Sequence, residues 1–77
     1  MAVEKAFGQV LKKYRTSRNL SQEALALECG LHRTYISILE RGLKNPTLGN
    51  VFLIAEVLGV EVEDLIKEVA LVYNRMK

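Results

Sequence analysis

This chain of 77 residues has only one cysteine and one histidine, which offer little chemistry to a metal ion or a covalent catalyst. A lone Cys29 cannot close an intrachain disulfide, so the sequence suits a reducing compartment, and core packing is its expected role. A lone His32 has no second ligand at zinc spacing, so no metal is expected. Glycine-rich phosphate loops, converging carboxylate pairs and nucleophile–base sets are all missing, which excludes the common catalytic schemes and leaves no cofactor to expect. Long apolar runs are missing as well. Val51 to Ala55 and Val69 to Tyr73 are the longest without charge, far too short to span a bilayer. The first five residues lack the apolar centre of a signal peptide. Together these absences predict one soluble, cytoplasmic domain over residues 1–77, with a core small enough to be marginal as a monomer.

What is present is helical. Phe7, Val10, Leu11 and Tyr14 fall at i, i+3, i+4 and i+7, one apolar stripe on a helix from about Val3 to Arg18. Ser21 is an N-cap with Glu23 behind it in the first turn, and Gly30 supplies the left-handed residue that ends a two-turn second helix. A third helix runs from His32 or Arg33 to Arg41, with Ile36 and Leu39 pointing one way and Gly42 stopping it. Thr47 caps a fourth, whose apolar positions are Leu48, Val51, Phe52, Ala55 and Leu58, and Gly59 closes it. Glu61, Glu63 and Asp64 crowd the start of a fifth helix that continues towards Asn74. No strand pattern competes, so the expected class is all-α.

The net charge of +2 says little, but its distribution says more. Residues 1–45 carry eight cations against four acids, and residues 46–77 carry three against five. One end is thus suited to a polyanion and the other is not. Two short helices joined by a tight glycine-containing turn form the layout of a DNA-binding helix-turn-helix.

The stretch Leu20-Ser-Gln-Glu-Ala-Leu-Ala-Leu-Glu-Cys-Gly30, followed by Leu31-His-Arg-Thr-Tyr-Ile-Ser-Ile-Leu-Glu-Arg-Gly42, resembles the Cro/repressor-like (xenobiotic-response-element) family of bacterial regulators. So do Asn45-Pro-Thr-Leu48 and Ile54-Ala-Glu-Val-Leu-Gly-Val60. The likeness covers about Phe7 to Ile66. It implies a five-helix, lambda-repressor-like domain with helices 2 and 3 as the helix-turn-helix. Within the family, His32-Arg-Thr-Tyr-Ile-Ser37 and Glu40-Arg-Gly42 are most similar to the small controller proteins of restriction-modification systems. The resemblance also implies an ion pair between Arg15 and Glu40, and it supports a phosphate contact by Gln22.

Residue chemistry assigns the remaining roles. Arg33 can grip guanine O6 and N7 with its planar fork, or else hold a phosphate. Thr34 suits a base edge, a thymine methyl or a phosphate; Ser37, one turn on, suits a base or plain solvent. Ile38 suits a thymine methyl or the edge of the core. Tyr35 can pack along the groove wall with its hydroxyl on a phosphate, or sit partly in the core. His32 is a cap or a phosphate contact, and Lys44 and Asn45 suit the flanking backbone. Gly49, inside the fourth helix, suggests close approach by another backbone, from DNA or from a partner subunit.

One reading helix covers only a few base pairs, so the expected partners are double-stranded DNA and a second copy of the chain, with no membrane and no small-molecule effector. Residues 61–77 would supply the pairing surface through Leu65, Ile66, Val69, Val72 and Tyr73, unless Val69 to Tyr73 folds back onto the monomer's own core. The function expected is a homodimeric transcriptional regulator on an inverted-repeat operator, autoregulatory where it controls a restriction-modification system. The antitoxin of a toxin–antitoxin pair is the alternative.

Overall fold

Phe7, Val10 and Leu11 of the first apolar stripe are buried in the computed structural model, which describes residues 2–77, and Tyr14 is half-buried beside them. The stripe belongs to α1 (Val3–Ser17). It is followed by α2 (Gln22–Cys29), α3 (Arg33–Glu40), α4 (Leu48–Leu58) and α5 (Val62–Arg75), with no strand among the described residues. α1 lies against both α3 and α5, α2 against α3 and α4, and α4 against α5. No helix among the described residues is long and apolar enough to cross a membrane.

The boundaries follow local chemistry. Ser21 Oγ accepts the Ala24 N–H at 3.0 Å, and Thr47 Oγ1 accepts that of Asn50 at 3.1 Å, each satisfying a donor that a helix start leaves open. Gly30 takes φ 68° and lets the Leu31 N–H turn back onto the Ala26 carbonyl at 2.9 Å, which closes α2 tightly enough to start α3 three residues later. His32 stands immediately before α3, but its side chain caps nothing there; that half of its expected role is corrected.

Leu11, Leu25, Ile36, Leu39, Ile54 and Leu58 are fully buried, so every one of the first four helices drives a large side chain into one shared core. Burying such a side chain is worth roughly 1.5–3 kcal/mol. Cys29 joins this core, and burial pushes its thiol pKa up. Gly8, inside α1, is also buried: a Cβ there would run into the Leu39 carbonyl and stand 2.8 Å from the Glu40 carbonyl oxygen. α1 therefore meets the end of α3 backbone to backbone.

α5 corrects the expected pairing surface. Leu65 is fully buried and Val69 nearly so, both in the chain's own core, with Val72 and Tyr73 half-buried against it. The fold-back alternative describes these four residues. Only Ile66 of the expected set remains exposed. Lys13 Nζ meets Glu68 Oε1 at 3.0 Å on the surface, a pair too exposed to contribute much to holding α5 on α1.

Candidate nucleic-acid interface

α3 is amphipathic over only two turns. Ile36 and Leu39 are buried, which turns Arg33 and Thr34 outward and leaves both exposed in the first turn. Ser37, one turn on, is half-buried on the same side. No acid occupies that first turn, so nothing there repels a polyanion. Ile38 is half-buried yet stands outside the core cluster among the described residues. His32, Lys44 and Asn45 are all exposed, on the segments that lead into and out of α3.

Two polar networks fix this helix. At its end, Glu40 Oε1 accepts hydrogen bonds from Arg15 Nη2 and from Gln22 Nε2, each at 3.0 Å, while Glu40 Oε2 accepts from Arg15 Nε. Arg15 Nη1 also donates to the Leu20 carbonyl at 2.7 Å. The carboxylate is 4 % exposed and the guanidinium 11 %, so both charges are desolvated and matched by a two-point, charge-assisted pair. The bond to Glu40 raises the Arg15 pKa against the opposing effect of burial. The expected ion pair is therefore present, and it ties α1, α2 and α3 together. Gln22 has a double position. One amide hydrogen is held by Glu40, and the other has no acceptor among the described residues.

At the other end of the helix, Tyr35 is half-buried, and its hydroxyl accepts a hydrogen bond from Asn50 Nδ2 at 3.1 Å. Asn50 carries no signal in the sequence beyond a place in the first turn of α4, and sequence reasoning misses it. Gly8 was equally unassigned, although a glycine inside an apolar helical stripe is a visible cue for close packing. Gly49 stays unexplained by the chain itself, since a Cβ there would meet nothing within 4 Å. Among the described residues no three His, Cys, Asp or Glu side chains gather where they could hold a metal ion.

The arrangement is an exposed, acid-free helix start with a basic fork at its tip, backed by a buried ionic anchor. Comparison with known proteins finds the same fold and family. The helix-turn-helix family model aligns with residues 11–65. Control protein C.BamHI of Bacillus amyloliquefaciens is 52% identical over 61 residues, covering 78% of this chain and 75% of that protein. The crystal structure of the restriction-modification controller protein C.AhdI from Aeromonas hydrophila superposes with a TM-score of 0.81 at 42% identity, over 84% of this chain and 98% of that one. SinR, a master regulator for biofilm formation solved in complex with DNA, superposes with a TM-score of 0.74 at 34% identity, over 78% and 97%. A helix-turn-helix that spans most of the chain, with relatives this similar, settles membership: the chain belongs to the helix-turn-helix family of transcriptional regulators that includes the restriction-modification control proteins.

Proposed function

We propose that this protein is a homodimeric, sequence-specific DNA-binding regulator that controls a restriction-modification operon, its own gene included, by binding an inverted-repeat operator in the cytoplasm. The observation that carries the reading is the first turn of α3, where Arg33 and Thr34 stand exposed with no acid beside them on a helix anchored from behind. The major groove admits one such helix, and Arg33 reads guanine there. Thr34 and Ser37 share the reading face, and Ile38, outside the core, meets a thymine methyl. Gln22, His32, Tyr35, Lys44 and Asn45 hold the phosphates on either side. The role requires neither catalysis nor a cofactor.

Pairing uses apolar surface left exposed on α4 and α5. Leu48, Phe52 and Ile66 are exposed apolar side chains, Phe52 to 54 %, and an open groove of about 570 Å³ runs between Phe52 and Gly59 of the α4 end and Val62 at the start of α5. Glu56, Glu61 and Glu63 also line it, which makes this end a poor surface for a polyanion. A second copy seated across α4 and α5 would bury the apolar side chains and set two reading helices about 34 Å apart. Val72 and Tyr73, half-buried against the chain's own core, offer less surface to a second copy.

Selection of bound sites from random duplex DNA tests the reading. The parent protein is expected to recover an inverted repeat. Arg33→Ala should relax preference at one position per half-site, at a cost of roughly 1–3 kcal/mol. Lys44→Ala should leave preference unchanged and flatten the salt dependence by about one unit of slope. A uniform loss of affinity for Arg33→Ala would make it a phosphate contact, and a monomer in sedimentation at micromolar concentration would refute the dimer.

A further inference from the structure

We propose that Asn50 is a positioning residue for DNA binding: by donating its side-chain amide to the Tyr35 hydroxyl it commits that hydroxyl to donate, in turn, to a DNA phosphate. The inference rests on the reading that Tyr35 meets the backbone. A phenol has one hydrogen and two lone pairs. Asn50 Nδ2 occupies a lone pair at 3.1 Å, so the single hydrogen is not used on Asn50. Tyr35 donates to no acceptor among the described residues, although it is half-buried on the reading helix. A phosphate oxygen is an acceptor only, and it completes the chain amide to hydroxyl to phosphate. Each bond in such a chain polarises the next, so the hydroxyl donates more strongly with Asn50 in place.

The opposite polarity would be harmful. With the Asn50 carbonyl turned to the hydroxyl, the tyrosine hydrogen would point back into the protein and its lone pairs would face the phosphate. Position also matters. The Asn50 backbone N–H is held by Thr47 Oγ1 at 3.1 Å, and the side chain is half-buried, so the donor reaches Tyr35 from a fixed point on α4. The bond joins α3 to α4 across fifteen residues of chain, and so restricts the ring before DNA arrives. A hydroxyl fixed in advance loses less freedom on binding than one that rotates in water.

A double-mutant cycle on a duplex carrying the selected inverted repeat tests this. Tyr35→Phe and Asn50→Ala should each weaken binding about fivefold, the scale of one net hydrogen bond. The double variant should be about fivefold weaker than the parent, not the product of the two, because Asn50 acts only through the hydroxyl. Replacing the contacted phosphate by a methylphosphonate should weaken the parent more than it weakens Asn50→Ala. Independent losses that multiply, or no loss for Asn50→Ala, would overturn the proposal. No loss for Tyr35→Phe alone would instead remove the phosphate contact on which it rests. Asn50→Asp guards against a folding artefact, since it keeps the shape but can only accept. It should weaken binding about tenfold with Tyr35 present and less in the Tyr35→Phe background, where only the added charge acts. Equal losses in both backgrounds would also overturn it.

Discussion

Replacing Glu40 by glutamine removes one charge and almost no volume, and the structure gives its consequence a magnitude. The parent carboxylate accepts two bonds from Arg15 and one from Gln22. In Glu40→Gln an amide N–H₂ must face one of those donors, and the Arg15 guanidinium, 11 % exposed, keeps only neutral acceptors, the remaining amide oxygen and the Leu20 carbonyl. Breaking one side of a buried pair costs about 3–5 kcal/mol, and the surviving Leu20 bond puts this site at the lower end, about 3 kcal/mol. A domain of this length has a total stability of roughly 4–12 kcal/mol. At about 4–8 °C per kcal/mol, Tm should fall by at least about 12 °C. Urea unfolding followed by circular dichroism, at one fixed protomer concentration because dimerisation shifts apparent stability, measures the free-energy loss, and a thermal melt measures the Tm. The double variant Arg15→Met, Glu40→Leu removes both charges together and should lose less than Glu40→Gln alone. A Glu40→Gln protein within 0.5 kcal/mol of the parent (about the scatter of neutral surface changes), or a double variant at the sum of its singles, would refute the reasoning.

Three further perturbations have definite expected outcomes. Gly8→Ala puts a Cβ against two carbonyl oxygens of α3 and should destabilise by about 1–3 kcal/mol in thermal melts, the usual range for overpacking; a neutral result would mean that α1 and α3 separate freely. Gly49→Ala has open space and should stabilise the free protein by about 0.5–1 kcal/mol, so an unchanged or lower Tm contradicts the helix-propensity account. Cys29 ionises less readily in the folded chain than its ordinary value near 9.0, because burial disfavours the thiolate. The raised folded pKa means that its contribution is intact below about pH 9 and declines as pH rises beyond it, where the unfolded chain gains the thiolate. Cys29→Ala should flatten that alkaline fall in Tm, and the parent thiol should react with a disulfide reagent at neutral pH only as fast as the chain opens.

Local punctuation made most of the fold legible. Ser21, Gly30, Thr47 and Gly59 act on their immediate neighbours through hydrogen bonds and a positive φ, so each helix boundary they set follows from sequence alone. The exposed face of α3 was legible for a similar reason: Ile36 and Leu39 must go inward, which leaves Arg33 and Thr34 outside. The pairing surface was not. α5 carries apolar residues on more than one face, and periodicity cannot say which face meets α1 and which meets solvent; Leu65 and Val69 took the core, and Ile66 did not. Asn50 was out of reach because its partner is fifteen positions away on another helix. Spacing rules describe neighbours on one helix, not a hydrogen bond between two.

A helix of eight residues is too short to hold its own shape in water, so the geometry of the reading face is set by what grips α3 from outside. The grips differ in kind. Ile36 and Leu39 are buried and the Glu40–Arg15 pair is largely shielded from solvent, so their loss removes stability together with any capacity to bind. The Asn50–Tyr35 bond lies at the half-exposed edge between α3 and α4, where water can satisfy whichever partner a substitution leaves behind. Its contribution therefore falls almost entirely on the bound state, because only there does the direction of one hydroxyl hydrogen decide whether a phosphate is attracted or repelled. Stability and recognition are thus separable on a single two-turn helix. Changes at Glu40 should move Tm and affinity together, whereas changes at Asn50 should move affinity while Tm stays within about 2 °C, less than the shift that 1 kcal/mol would cause.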